Sequence, residues 1–290
     1  AYIQDRIALS EAFALQVGLR GDTFDFVSED DPDFTGESFD VTDSAVSGNV
    51  GVVWSVTDQI NLNALVARGF RTPNLQERAF SGQVFFDTIL VQNPDLTSET
   101  SLNYELGAKL RSDRFFGGLN FFYNDVDDFI SYEIFDQDPD SGLFIARLAN
   151  IEKARIQGVE FNVETIFGDW WTAYLTYAYT KGDNLSTDEP LSFIPPQKVL
   201  LGLRYQRARW WAEAGARLVD RQTRLPSDDP DFEEGEPGFS VYDLRGGFDF
   251  DFGLGFLVVL ENITDKLYSE PFNNRPEPGR SFRATARYRF

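Results

Sequence analysis

The 290-residue chain contains no cysteine, no methionine and no histidine. Without thiols there is no disulfide, no cysteine nucleophile, no zinc finger and no iron–sulfur cluster. Without imidazole there is no Ser-His-Asp triad, no histidine acid–base chemistry and no histidine metal site. A haem iron would find only tyrosine as an axial ligand. Basic side chains are also scarce: 26 Lys and Arg stand against 47 Asp and Glu, a formal charge of −21. That balance excludes nucleic acid as a partner, since a phosphate backbone needs a basic surface. No apolar run reaches about 18 residues, so no helix crosses a membrane. A transmembrane β-barrel stays open, because its strands alternate apolar and polar residues. The chain opens at Ala1 on neither a basic nor an apolar leader, as a mature protein or an internal fragment would.

What is present is alternation. Hydrophobic residues make up 42% of the chain, enough for a sizeable buried surface. Phe13, Leu15, Val17 and Leu19 alternate with Ala14, Gln16, Gly18 and Arg20. Leu102, Tyr104, Leu106, Ala108 and Leu110 oppose Ser101, Asn103, Glu105, Gly107, Lys109 and Arg111. Val159, Phe161 and Val163 oppose Glu160, Asn162 and Glu164, and Tyr242–Phe252 behaves likewise. Period two means strands with one apolar and one polar face.

About thirteen such strands follow, at 1–9, 12–26, 45–56, 59–71, 99–112, 114–132, 143–166, 170–182, 196–207, 209–222, 239–252, 254–268 and 279–290. Short turns at one end of these strands alternate with long polar loops at 27–44, 72–98, 133–142, 183–195, 223–238 and 269–278. This is the layout of an outer-membrane barrel. Trp54, Trp170, Trp171, Trp210, Trp211, Phe115 and Phe116 fall at the short-turn ends, where amphipathic rings would form an interfacial girdle. A soluble β-sandwich also alternates, so periodicity alone leaves both architectures open. At the C-terminus, Phe282, Ala284, Ala286, Tyr288 and Phe290 alternate with Arg283, Thr285, Arg287 and Arg289. That pattern looks like the terminal signal read by the barrel assembly machinery, carried by Phe282, Tyr288 and Phe290.

Four ordered motifs carry a family resemblance. They are Ala1-Tyr-Ile-Gln-Asp with Val17–Asp22, Gly69-Phe-Arg-Thr-Pro-Asn-Leu-Gln-Glu77, Asn93-Pro-Asp-Leu-Thr-Ser-Glu99 running on to Gly107, and Asn262-Ile-Thr-Asp-Lys-Leu-Tyr268 with Pro278-Gly-Arg-Ser-Phe282. Together they resemble the C-terminal part of a TonB-dependent outer-membrane receptor. Asn150–Glu160 and Pro190–Lys198 look nearest to its haemoglobin, transferrin and lactoferrin branch.

The resemblance implies an all-β, antiparallel transmembrane barrel. These would be about thirteen C-terminal strands of a larger, 22-stranded barrel whose plug lies elsewhere. Residues 1–290 would form that single barrel portion, with Ala1 near the tenth strand. The implied activity is energised uptake of an iron compound, haem or a ferric siderophore, in the bacterial outer membrane. TonB would act through an N-terminal part not present here. Partners would be the iron-containing ligand, outer-membrane lipid and the assembly machinery. No enzyme activity, cofactor or metal site is expected. A passive porin or a soluble all-β binding module remains the alternative.

The motif positions are Phe70, Arg71, Pro73, Asn93, Pro94, Leu96, Glu99, Asn262, Asp265, Tyr268, Gly279 and Arg280. Pro73 and Pro94 fix φ where a ladder donor is no longer wanted. Arg71 and Glu99 stand at strand–loop borders and could tie the long loop to the rim. Candidate ligand contacts are Arg71, Arg78, Phe85, Phe86 and Tyr132. The family's haem-uptake members place a His between the Phe-Arg-x-Pro and Asn-Pro-x-Leu motifs; Asn74–Gln92 holds neither His nor Tyr. A ferric siderophore needs no such ligand, because it brings its own oxygens.

Clustered carboxylates occur at Asp30–Phe34, at Asp228–Phe232 with Glu233, Glu234 and Glu236, and at Asp136–Asp140. None has EF-hand spacing, so solvated loop tips are expected. Asp125, Asp127 and Asp128 are expected at the rim. Phe80, Phe135 and Phe144 join Phe85 and Phe86 as loop aromatics able to form an apolar platform.

Overall fold

The computed structural model describes residues 1–28, 38–85, 87–227, 235–273 and 275–290, with the backbone alone at Phe85, Ile151 and Glu152. Phe86, Asp30–Phe34, Asp228–Phe232, Glu233 and Glu234 lie outside the described residues.

The strands are β1 (Tyr2–Ala8), β2 (Phe13–Val27), β3 (Asp40–Ser55), β4 (Ile60–Arg71), β5 (Gly82–Phe85), β6 (Thr88–Val91), β7 (Glu99–Arg111) and β8 (Phe115–Gln137). After them come β9 (Phe144–Phe167), β10 (Trp171–Asn184), β11 (Glu189–Pro190), β12 (Lys198–Arg207), β13 (Trp210–Val219), β14 (Phe239–Asp249), β15 (Leu254–Glu261) and β16 (Ser281–Tyr288). One short helix, α1 (Leu75–Ala79), sits between β4 and β5. Thirteen of the strands form one antiparallel meander, β1-β2-β3-β4-β7-β8-β9-β10-β12-β13-β14-β15-β16. All thirteen expected strands are found. Six of the twelve joins are turns of two to four residues, which can join only antiparallel partners; across the six longer connections the meander strands also lie side by side and antiparallel.

Register keeps the two faces separate across the whole sheet. Leu15, Val52, Ala64, Leu106, Phe121, Val159 and Tyr179 are successive cross-strand partners. Leu203, Ala214, Leu244, Leu260 and Phe282 form a second such apolar row. On the opposite face run Asn63, Gly107, Asn120 and Glu160, and farther on Arg204, Glu213, Arg245, Val259 and Arg283. A one-residue slip anywhere would exchange the faces, so the alternation fixes the register.

Among the described residues the apolar face has no second layer. Leu106 is 62% exposed, and Val50, Phe121, Leu244 and Phe282 are also bare. Buried apolar clusters are small and lie toward the long-loop ends, around Val126, Ala154 and Leu191 and around Val219, Phe239 and Val241. A sandwich would cover this face with a second sheet. An uncovered apolar face this wide suits hydrocarbon. Stacked rings mark its short-turn border: Phe13 on Trp54 and Phe167 on Trp171, with Trp171–Tyr205 and Tyr205–Trp210 continuing the row. Trp211 departs from the expected girdle. Pairing of Trp210 with Phe248 puts Trp210 on the apolar face, so Trp211 falls on the polar one, under the guanidinium of Arg204.

Boundaries differ from the sequence expectation at several places, and β3 opens at Asp40 rather than 45. β8 and β9 run on as a finger through Gln137 and Phe144, beyond the expected end at residue 132, because their pairing continues through a bulge at Ile134/Asp136. β15 stops at Glu261 rather than 268, where Asn262 takes φ 49 and turns the chain. The loop 72–98 is not featureless: it holds α1, β5 and β6. β6 pairs in parallel with the β9 half of the finger, so β8, β9, β6 and β5 make a four-stranded platform beyond the rim.

Candidate functional site

The loop 72–98 is built on the sheet by two arginines. Arg71, the last residue of β4, pairs across the ladder with Glu99, the first of β7. Its Nε and Nη2 donate to Glu99 Oε2 and Oε1 at 2.9 and 2.6 Å, while Nη1 donates to both oxygens of Glu77 at 2.8 Å. The planar guanidinium fork suits two carboxylates in this way; a lysine would not. Hydrogen bonding to Glu99 holds Arg71 above the ordinary arginine value, against partial burial, with Glu77 adding to the effect. Glu99 also accepts from the backbone N–H of Ile130 at 2.8 Å. One buried carboxylate thus joins β4, β7 and the start of the finger.

Glu77 reaches this cluster through local helix chemistry. Asn74 caps α1: its Oδ1 accepts from Glu77 N, and Glu77 Oε2 accepts from Asn74 N, a reciprocal capping box. Pro73 just before it is fully buried. The next residue, Arg78, is 0% exposed. Its Nη2 donates to Asp43 Oδ2 at 2.6 Å, its Nη1 to Pro94 O at 2.7 Å, and the ring of Phe26 lies 5.5 Å from Cζ.

The far end of the loop is tied to the finger. Asn93 Nδ2 donates to Leu148 O at 2.9 Å, and Leu96 is 2% exposed. Asn150 Oδ1 accepts from Thr97 N, and its Nδ2 donates to Thr97 O and Asp128 O. Asp128 takes φ 57, which turns its carbonyl into reach. Asn150→Ala removes three bonds between loop and finger. Expected is faster cleavage within 72–98 in limited proteolysis, by about fivefold or more, for the ~1 kcal/mol that each hydrogen bond typically contributes; an unchanged cleavage rate would contradict this anchoring.

The structure therefore brings Phe70, Arg71, Pro73, Arg78, Asn93, Pro94, Leu96 and Glu99 to one place. Phe70 stands 6.2 Å from Phe24. Arg78 is enclosed, so its guanidinium meets Asp43 and not solvent. Tyr132, on the finger, is 42% exposed, as is much of Ile134, Phe135 and Phe144 beside it. Phe135 lies under Arg147, which pairs with Glu133.

The second motif group is separate, at the last connection. Asn262 is 2% exposed; its amide donates to Lys266 O and Pro278 O and its Oδ1 accepts from Lys266 N. Asp265 Oδ1 accepts from Arg280 N at 2.8 Å, and a Cβ at Gly279 would stand 2.8 Å from that same oxygen. Tyr268 packs on Phe239 at 4.4 Å, and its hydroxyl accepts from Arg217, which also binds Glu270. These contacts fold the connection over the polar face and leave a cleft of about 390 Å³ lined by Tyr174, Arg217, Asp243, Arg245 and Glu261. Beneath it Glu213 accepts from Tyr174 Oη at 3.0 Å and faces Arg204 and Arg245 at 3.6 and 3.5 Å. Tyr174 crosses Gly202, where any side chain would collide with its ring. Phe282, Tyr288 and Phe290 all stand exposed on the apolar edge.

Several partners were not foreseen from sequence. Asp43, Thr97 and the Ile130 N–H carry no local signal, lying 35 residues from Arg78, 53 from Asn150 and 31 from Glu99. Glu77 had one: Asn74-Leu-Gln-Glu77 is a capping-box spacing. No group of metal-ligating side chains occurs among the described residues.

Residues 1–263 match the family described as "TonB dependent receptor-like, beta-barrel". The chain is 28% identical to Heme/hemopexin utilization protein C of Haemophilus influenzae, over 91% of this chain and 41% of that protein. It is 26% identical to Ferric enterobactin receptor PirA of Pseudomonas aeruginosa, over 97% of this chain and 40% of that protein. Among solved structures it is similar to the copper transporter OprC, with a TM-score of 0.84 at 23% identity, covering 100% of this chain and 47% of the other. The chain thus spans about two fifths of the curated relatives it matches.

Proposed function

The chain belongs to the TonB-dependent receptor family, as part of its outer-membrane β-barrel, and from that premise we propose that the whole receptor takes up an iron compound, haem or a ferric siderophore. Residues 1–290 serve as the C-terminal barrel portion. The polar face of the sheet, with Glu213, Arg204, Arg245 and their neighbours, cradles the plug. TonB, acting through the N-terminal part, relays the proton gradient that moves the plug. No bond is made or broken in the cargo, so the protein is a transporter and not an enzyme.

The observation that carries this reading is the loop 72–98. The resemblance identifies it as a ligand loop. Here it is a platform held on the rim by Arg71, Glu77 and Glu99, and such rigid support suits capture of a ligand in a fixed orientation. Arg71 and Arg78 act by holding the loop, while the contacts come from its tip, from Phe85 and Phe86, and from Tyr132 on the finger. Within residues 1–290 copper would find no thiolate, thioether or imidazole ligand. Iron already wrapped in its own oxygen ligands needs none of them.

The test is uptake by iron-starved Gram-negative cells expressing the full reading frame. Labelled haem or ferric siderophore is expected to enter only when TonB is present. Equal uptake without TonB would leave a passive porin. The rim cluster has its own check. Arg71→Ala is expected to cut uptake about tenfold or more while heat-modifiable barrel stays within about twofold, since a bidentate charged pair at a loop root is lost but no lipid-facing contact is. Glu99→Gln, which keeps the shape and an acceptor, should fall between the two.

A further inference from the structure

The short-turn border of the apolar face carries one cation among its aromatic rings. Arg207 is the last residue of β12 and shares the parity of Leu201, Leu203 and Tyr205, so it stands on the apolar face. Among the described strand residues no other Lys or Arg reaches this border on that face. Its cross-strand partner is Trp210. On the other side, Gln206 N donates to Trp170 O at 2.8 Å. That bond continues the β10–β12 ladder past Trp171 and sets the indole of Trp170 beside Arg207. The centre of that ring lies 5.3 Å from Arg207 Cζ. Neither indole is covered: Trp170 is 41% and Trp210 43% exposed.

The guanidinium is otherwise unspent. It makes no ion pair with any described carboxylate, Asp169 in the adjoining turn included. Its neighbours at this end are engaged elsewhere. Arg209 pairs with Asp251, and Arg204 lies on the polar face, stacked on Trp211 and facing Glu213. An indole satisfies the face of a guanidinium but not the N–H donors in its plane. Hydrocarbon cannot receive those donors. A phosphate receives them well, because its oxygens match the planar fork.

The depth also suits a headgroup. Short turns of an outer-membrane barrel face the periplasm, and Trp and Tyr rings settle at headgroup level. Arg207 stands in that row, beside Tyr205 and Trp210. At the bilayer midplane an arginine is expelled, but at the interface its cost nearly vanishes. Farther into the bilayer on the same strand and face, Leu203 and Leu201 are bare. A molecule with an anionic phosphate and long apolar chains fits both parts. We propose that Arg207, framed by Trp170 and Trp210, binds the phosphate of an anionic phospholipid of the periplasmic leaflet, with its acyl chains laid along Leu203 and Leu201. Net negative charge selects the lipid. A zwitterionic headgroup brings its own ammonium to its phosphate. An anionic one gains the attraction of one interfacial arginine, worth about fivefold in affinity.

The test is native mass spectrometry of the full-length receptor, released from detergent micelles that hold equimolar phosphatidylglycerol and phosphatidylethanolamine. Folding is checked by heat-modifiable migration, and the first retained lipid is scored. The wild type is expected to retain phosphatidylglycerol about fivefold over phosphatidylethanolamine. Arg207→Gln should bring the ratio to within about twofold of unity and leave migration unchanged, since the position is interfacial. Arg207→Lys keeps the charge but gives up the planar fork, and should fall between the two. Arg114→Gln, at another short turn, should retain the wild-type ratio. Inorganic phosphate at about 10 mM should not displace the lipid, because it brings no acyl chains to bury. Equal retention of the two lipids by the wild type, or an undiminished preference in R207Q, overturns the site. Displacement by inorganic phosphate leaves a simple anion site and overturns the lipid assignment. With lipopolysaccharide added, its retention in place of phosphatidylglycerol, lost in R207Q, overturns the choice of leaflet.

Discussion

Leu106→Arg is expected to stop the barrel from assembling, although Leu106 is among the most exposed apolar residues of the molecule, at 62%. On a protein surrounded by water, a leucine-to-arginine change at such a position costs almost nothing. Leu106 sits at the middle of β7, between Leu102 and Leu110 on the apolar face, with Ala64 and Phe121 as cross-strand neighbours. If that face meets hydrocarbon, an arginine near the midplane costs about 2–4 kcal/mol. That corresponds to a loss of folded barrel between about thirtyfold and several hundredfold. The inner-face control is Asn103→Arg, three positions away on the other parity, where water and polar groups receive the charge. Expected is normal heat-modifiable barrel for N103R and a severe loss for L106R in isolated outer membranes. Indifference to L106R would remove the membrane assignment and restore the soluble alternative.

Arg78→Ala should have the second large effect, confined to the mouth. The substitution leaves Asp43 as a nearly buried carboxylate without its cation and Pro94 O without its donor. Removing one member of a buried ion pair typically costs about 3–5 kcal/mol. The rest of loop 72–98 is also tied through Glu77, Asn93, Thr97 and the β6–β9 ladder, so the penalty falls on docking of α1 before it falls on the strands. Loop amides should exchange with deuterium about a hundredfold or more faster, by the same free energy, while strand amides of β7 keep their protection. Arg78→Lys keeps the charge but cannot reach Asp43 and Pro94 with separate donors, so intermediate protection is expected. The double change Arg78→Met with Asp43→Leu removes both charges and should recover much of the docking. Unaltered exchange in R78A would mean that the loop is held by other contacts.

The two variants separate what the strands need from what the loop needs. The strands are specified by period two, which any reader of Phe13–Leu19 or Leu102–Leu110 can extract. All thirteen meander strands were legible for that reason, and the six short turns admit only antiparallel neighbours; the six long connections carry no such signal. The ends were less legible. Pairing of β8 with β9 outruns the membrane because the finger stabilises itself, and β15 stops early because Asn262 prefers to bond its own backbone neighbours. The motif residues were visible as residues, and the tie between Arg71 and Glu99 was suggested by their place at the strand borders. The parts played by Arg78 and Asp43 were not. Nothing in the sequence says whether an arginine in a loop faces a ligand or a carboxylate 35 positions away.

The sequence by itself determined the two faces of the sheet, the antiparallel pairing across its short turns and the absence of thiol, thioether and imidazole side chains from residues 1–290. Each follows from residue type and spacing, which local sterics and side-chain period convert directly into structure. Only the tertiary structure decided that no described residue covers the apolar face, that loop 72–98 is a platform and not a free loop, and that Arg71 and Arg78 are spent on carboxylates. Those facts depend on contacts between residues far apart in sequence, and a long-range pair such as Arg78 with Asp43 leaves no period to read.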